Sequence, residues 1–293
     1  MNGYLGKILR VDLSSGAMQD QPLREEDVAT FLGGSGLAAR LLWDEAGLDA
    51  DPLAPENPLL FLTGPLVGTS APSCGRYEVC ARSPLTGLWG ESNSGGFWGP
   101  ELRFAGYDGL LFTGRAPAPT TLWLHHGQAE LRPAAHLWGK DAYETQEALR
   151  AELGEPRCRV ACIGPAGERG VRFAAIMNDH GRAAGRTGLG AVMGAKNLKA
   201  VAVRGGAVVP LAQPERFAEW AKEAWNLLKG DVSSQLMRAG GSNAYMDWAL
   251  MSGDITFRYY TAGAFDEAEQ LNGAALADDL AIRPRACYRC PIG

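Results

Sequence analysis

Cys287 and Cys290, in the segment CYRCPIG at 287–293, put two thiols on one tight turn, a spacing that lets both reach a single metal centre. Metal or cluster ligation, dithiol redox chemistry and plain burial are all open to such a pair. A thioredoxin-type dithiol follows a strand within a βαβ unit, which RPRA at 283–286 does not offer, and the proline after Cys290 favours an iron–sulfur loop. A second set of chemically capable residues sits in two long glycine-rich stretches. The first, SCGRYEVCARSPLTGLWGESNSGGFWGPELRFAGYDG at 73–109, carries Arg76, Arg82 and the turn Asn93-Ser94-Gly95-Gly96. The second, NDHGRAAGRTGLGAVMGAKNLK at 178–199, sets Arg182 and Arg186 among the small residues Ala183 and Gly185. Glycine lets a backbone approach a flat or phosphorylated ligand, its N–H groups cradle anions, and guanidinium groups clamp phosphate. Read as loops, the two stretches point to a large anionic cofactor; the alternative is hairpin connections with solvated arginines.

Other motifs carry less. GSGLAA at 34–39 imitates a dinucleotide fingerprint but follows the helical stretch REEDVATFL rather than a strand, so it reads as a helix-to-helix turn with close packing. No Walker-type loop is present, since Lys140 is followed by Asp141 and Lys196 by Asn197. Cys74, Cys80, Cys158 and Cys162 read as structural. The four histidines, at 125, 126, 136 and 180, lack metal-ligand spacing, and only His180 has interesting neighbours.

The elements that must position these residues follow from periodicity. Strands are expected at 7–13, 58–62, 76–82, 109–113, 120–125, 159–163, 171–177 and 199–204, with Tyr77, Val79 and Ala81 sharing one face. Helices are expected over 24–32, 36–46 and 141–153, the last capped by Asp141, and again over 214–229, where Phe217, Trp220, Ala221, Ala224, Trp225 and Leu228 fall at helical spacing. The fold class is therefore α+β: a β-rich domain over 1–208, then the beginning of a helical domain over 209–293. With 38 glycines in 293 residues the chain has nearly twice the usual share of about 7%, without a repeat. A net charge of −5 argues against a nucleic-acid partner. Lys7, Arg10 and Asp12 interrupt any signal-peptide pattern, and no run is long enough for a membrane span, so a soluble cytoplasmic protein is expected. The cysteine pair at the very end makes the sequence look like the front part of a longer protein.

Four blocks, in order, resemble the N-terminal part of the aldehyde:ferredoxin oxidoreductases, the tungsten (sometimes molybdenum) bis-pyranopterin enzymes. They are GPLVGTSAPSCGRYEVCARSPLTG at 64–87, NSGGFWGPELRFAGYDG at 93–109, IGPAGERGVRFAAIMNDHGRAAGRTGLGAVMGAKNLKAVAV at 163–203, and CYRCPIG at 287–293. The resemblance implies an N-terminal double β-sheet domain forming the base on which the metallopterin lies. It implies cofactor contacts from Arg76, Asn93, Gly95, Arg182, Ala183, Gly185 and Arg186, with the main-chain carbonyls of Asn93 and Ala183 holding Mg²⁺ between the pterin phosphates. It also implies a 4Fe-4S cluster on a C-x2-C-x3-C run, for which Cys287 and Cys290 match the first two ligands and a third would fall one residue beyond Gly293.

The implied activity of the complete enzyme is oxidation of an aldehyde to a carboxylate, with electrons passing singly through the cluster to ferredoxin. Relatives are often homodimers. The fragment alone is expected to be inactive, and no catalytic side chain is identified in it. The rival readings are a paralogous low-potential enzyme such as an aromatic acyl-CoA reductase subunit, and a non-catalytic scaffold in which Cys287 and Cys290 hold zinc.

Overall fold

The computed structural model describes residues 1–45, 51–263, 267–280 and 283–293. These fall into two compact units, residues 1–69 with 74–213, and residues 70–73 with 214–293. None of the described helices is long and apolar enough to cross a membrane.

The first unit is built on two six-stranded mixed sheets. One contains β1 (Lys7–Asp12), β2 (Met18–Pro22), β3 (Leu59–Thr63), β4 (Tyr77–Arg82), β5 (Trp89–Ser94) and β6 (Gly109–Thr113), in the order β2-β1-β6-β3-β4-β5. The other contains β7 (Thr120–His125), β8 (Gln128–Pro133), β9 (Arg159–Cys162), β10 (Ile176–Asn178), β11 (Arg182–Ala184) and β12 (Leu198–Arg204), in the order β11-β10-β9-β12-β7-β8. Each sheet has one parallel pair, β1 with β6 and β12 with β7.

Side-chain alternation assigns the two faces of each sheet to different layers. Tyr77, Val79 and Ala81 of β4 and Val201 and Val203 of β12 enter the core between the sheets, as the period of two predicts. Cys80 points the other way, into a cluster with Leu37, Ala38, Leu41 and Leu42 of α2 (Gly34–Asp44), which with α1 (Glu25–Phe31) covers the first sheet. Val160, Cys162, Ala200 and Ala202 meet Leu149 of α4 (Ala142–Glu152) on the outside of the second sheet. Cys74, Cys80, Cys158 and Cys162 are buried and unbridged. The helix expected over 36–46 is α2; Ala46 lies outside the described residues.

The two glycine-rich stretches are not long loops. Residues 73–109 contain β4, β5 and α3 (Trp98–Phe104), and 178–199 contain β11 and α6 (Leu189–Ala195); a short α5 (Pro165–Glu168) precedes them. Helices α3 and α6 are short and almost wholly buried, so neither carries the apolar stripe by which a surface helix is recognised. The strand expected at 171–177 is confined to 176–178, because Ala174 turns back to bond the Val171 carbonyl.

In the second unit α7 (Pro214–Gly230) is followed by α8 (Val232–Gly240), α9 (Met246–Ser252) and α10 (Gly273–Asp279). Ala221 of α7 is buried as expected, whereas Trp220 is exposed, with the Arg216 guanidinium 4.5 Å from the ring centre.

The N-terminus of α4 is fixed by a capping box: Asp141 Oδ1 accepts from the Tyr143 and Glu144 main-chain N–H groups at 2.8 and 2.9 Å, while Glu144 Oε2 accepts from the Asp141 N–H at 3.1 Å. Asp141→Ala is expected to lower the unfolding free energy by about 1 kcal/mol, read from the urea midpoint at constant slope.

Candidate functional site

The edge strand of the first sheet, β5, packs against the edge strand of the second, β11. What holds the two edges together is the side chain of Asn178, at the end of β10 and fully buried. Its Oδ1 accepts from Tyr77 Oη at 3.0 Å and Ser94 Oγ at 2.6 Å; its Nδ2 donates to the Gly95 carbonyl at 2.9 Å and to Asp179 Oδ2 at 2.9 Å. Both lone pairs and both N–H groups of the amide are thereby used. Asp179 adds to the clamp, accepting from the Phe97 main-chain N–H at 2.7 Å and pairing with Arg159 at 3.1 Å. Gly96 makes this approach possible. Its φ is +89°, and a Cβ there would lie 2.4 Å from Asp179 Oδ2.

Between the clamped edges lies a cavity of about 430 Å³ lined by Glu78, Glu91, Ser92, Asn93, Ala183, Gly185 and Arg186. Four of the residues singled out from the sequence, Asn93, Ala183, Gly185 and Arg186, therefore share one wall system although they come from different sheets. Ser92 Oγ accepts from the Arg186 main-chain N–H at 2.9 Å, which fixes the rim. Arg76 lines an adjoining cavity of about 310 Å³ with Gly33, Gly34, Gly64 and Glu78, and its guanidinium donates to Asn93 Oδ1. Gly95 is buried behind the rim. Arg182 begins β11 opposite Asn178 in the ladder and lines neither cavity. Arg82 donates to the Gly87 carbonyl at 2.8 Å across its own hairpin, the solvated-turn role weighed against cofactor binding. Gly36 bears out the close-packing reading of GSGLAA, since a Cβ there would be 2.6 Å from the Phe31 carbonyl oxygen. His180 lies apart, its ring stacked on Tyr143 and Arg150 donating to its Nε2 at 2.9 Å.

The periodicity of RYEVCAR leaves Glu78 on the face opposite Tyr77 and Val79, and its importance is seen only once β5 is known: in the β4–β5 ladder it stands opposite Asn93. It is the residue common to both cavities. Burial and then the neighbouring Glu91 push its pKa up to about 7, against the lowering effect of Arg76. Two carboxyls beside two guanidinium groups, with small residues between them, form a donor set of mixed sign. Such a set suits a polyanion accompanied by a divalent cation better than a bare anion.

In the second unit the Cys290 N–H bonds the Cys287 carbonyl at 3.1 Å, and Arg289 takes a left-handed φ of +51°. The two unbridged, half-buried thiols thus leave one turn. Among the described residues no group of three or more His, Cys, Asp or Glu is placed to hold a metal.

Residues 8–205 match the family profile described as aldehyde ferredoxin oxidoreductase, N-terminal domain, and residues 219–293 match that for its domains 2 and 3. The tungsten-containing aldehyde ferredoxin oxidoreductases of Pyrococcus abyssi and Pyrococcus furiosus are 44% and 43% identical over 100% of this chain, covering 48% and 49% of their own lengths. The chain thus spans about half the length of the curated relatives it matches. The active-site complex BamBC of benzoyl coenzyme A reductase, solved with 1,5 dienoyl-CoA, superposes with a TM-score of 0.86 at 36% identity, over 99% of this chain and 46% of that one.

Because the folded state raises the Glu78 pKa from 4.5 to about 7, it binds more protons there than the unfolded chain, and stability falls as pH rises through that interval. Glu78→Gln is expected to melt above wild type at about pH 8, with the difference closing below about pH 4.5, measured on the cofactor-free chain by calorimetry.

Proposed function

The chain belongs to the aldehyde ferredoxin oxidoreductase family, and from that premise we propose that it is the cofactor-holding part of a tungsten or molybdenum bis-pyranopterin oxidoreductase. The complete enzyme would oxidise aldehydes to carboxylates and pass electrons through a 4Fe-4S cluster to ferredoxin. The observation that carries this reading is the convergence of Asn93, Ala183, Gly185 and Arg186 on one cavity at the meeting of two sheet edges, with Arg76 bonded to Asn93.

When bound, the metallopterin would supply the two-electron chemistry at its metal. The residues of this chain would hold it. Arg76 and Arg186 would neutralise the pterin phosphates, with Arg182 at the start of β11 as a further contact. The carbonyls of Asn93 and Ala183 would face Mg²⁺, a hard cation that prefers oxygen. Gly185 would let the backbone approach the ligand, and Gly95, its carbonyl held by Asn178, would support the turn that presents Asn93. Cys287 and Cys290 would supply two thiolates of the cluster's ligand set, consistent with their shared turn.

A paralogous reading is favoured by a separate observation, the likeness to the benzoyl coenzyme A reductase complex. The same cradle would then serve low-potential reduction of an aromatic acyl-CoA. In full-length protein purified without oxygen, Arg76→Ala is expected to weaken pterin retention roughly tenfold or more, read as pterin fluorescence and as tungsten or molybdenum content. Unchanged pterin in a folded variant removes Arg76 from the cradle. Zinc in the wild-type protein, without tungsten, molybdenum or iron, overturns the oxidoreductase reading in favour of a zinc-holding scaffold.

A further inference from the structure

The residues of β5 divide between two tasks. Gly90, Ser92 and Ser94 are buried, whereas Glu91 and Asn93 are exposed and line the cavity between the sheet edges. The buried set grips the chain of the second sheet. Ser94 bonds Asn178 at one end of the seam. At the other, Ser92 Oγ accepts from the Arg186 main-chain N–H, and Gly90 leaves room for Thr187, since a Cβ on Gly90 would lie 3.1 Å from Thr187 Oγ1. Thr187 is tied twice to the β4–β5 hairpin: its carbonyl accepts from Ser83 Oγ at 2.8 Å, and its Oγ1 donates to the Glu91 carbonyl at 3.4 Å. The Leu85 and Thr86 main-chain N–H groups bond Ser83 Oγ at 3.2 and 3.1 Å, which leaves the serine proton for Thr187. Thr187 takes a φ of +60°, a conformation that a β-branched residue adopts only where its surroundings impose it. Gly188 follows at +74°, where a Cβ would lie 1.9 Å from the Arg172 carbonyl oxygen.

We propose that Ser92 and Ser83 are positioning residues for Arg186. They fix the main chain of an arginine whose guanidinium receives a phosphate group in the cavity, so that this half of the clamp is built before the ligand arrives. The proposal rests on the phosphorylated-cofactor reading above. An arginine on a free loop loses main-chain as well as side-chain freedom when it closes on an anion, and a main chain already held removes the first of these costs. Ser92 and Asn93 are neighbours, so the strand that bonds Arg186 also carries the asparagine to which Arg76 donates. The spacing of the two arginines is therefore set through β5 rather than by the ligand. The serines act through Arg186: the Ser92 hydroxyl is 4% exposed and engaged by the Arg186 N–H, and that of Ser83 is fully buried.

The test compares Ser92→Ala, Arg186→Ala and the double variant in the full-length protein, purified without oxygen. Pterin retention is read by fluorescence after timed gel filtration. Inorganic pyrophosphate with Mg²⁺ is also titrated calorimetrically into the same proteins prepared without cofactor. Ser92→Ala should speed pterin loss and weaken pyrophosphate binding, each about fivefold. In the Arg186→Ala background the serine substitution should change neither, which separates positioning from a general loosening of the fold or a direct serine–ligand contact, since both of those cost affinity in either background. Ser83→Ala, which frees Thr187 instead, should show the same dependence on Arg186 and decides the matter if Ser92→Ala does not fold. Equal losses with and without Arg186, or no loss in a folded Ser92→Ala protein, overturn the proposal. Pyrophosphate binding that needs Ser92 only when Arg186 is present, with pterin content the same in every variant, upholds the positioning and overturns the reading of the ligand as a pterin.

Discussion

The buried amide of Asn178 is the constraint on which the candidate site depends. Sheets normally hide or blunt their edges, yet here two edges, β5 and β11, are brought together with a cleft left open beside them. Tyr77, Ser94 and Gly95 from the first sheet satisfy an amide that belongs to the second, so neither sheet can shift without stranding a buried polar group. Asp179 and Gly96 then set how closely the chain segments approach. The residues that line the cavity border a space the clamp has defined.

The eight strands expected from periodicity correspond to the eight interior strands of the two sheets. The four that escaped, β2, β5, β8 and β11, are the four edges. An edge strand buries little: MQDQP has no buried residue, QAELRP sets only the half-buried Ala129 and Leu131 between polar neighbours, and WGESNS hides only Gly90, Ser92 and Ser94. Apolar periodicity registers such segments weakly. The consequence for function is direct, because the cleft is built from two of the unregistered strands. Arg76, Asn93 and Arg186 were legible through the resemblance of their motifs, whereas Glu78 needed the register of β4 on β5.

The arginines of the glycine-rich stretches also divide in a way composition could not foretell. Arg103 is fully buried, paired with Asp108 at 3.1 Å and donating to the Gly3 and Gly64 carbonyls, and it ties down the N-terminal turn. Arg82 closes a hairpin. Arg186 lines the cleft, and Arg76 lines the adjoining cavity while bonding Asn93. A guanidinium in a glycine-rich run is as apt to satisfy stray carbonyls as to await a phosphate, and burial tells the two roles apart.

All strands of the first sheet lie between Lys7 and Thr113, and all those of the second between Thr120 and Arg204. During synthesis the first sheet can therefore assemble as soon as β6 emerges to pair beside β1, while Asn178 is still unmade. The amide that joins the edges arrives late, and β12, which completes the interior of the second sheet, arrives later still. A nascent chain thus has no cavity between the two edges until nearly the entire β-rich unit has been translated, so any ligand of that cavity would have to enter after the unit has folded.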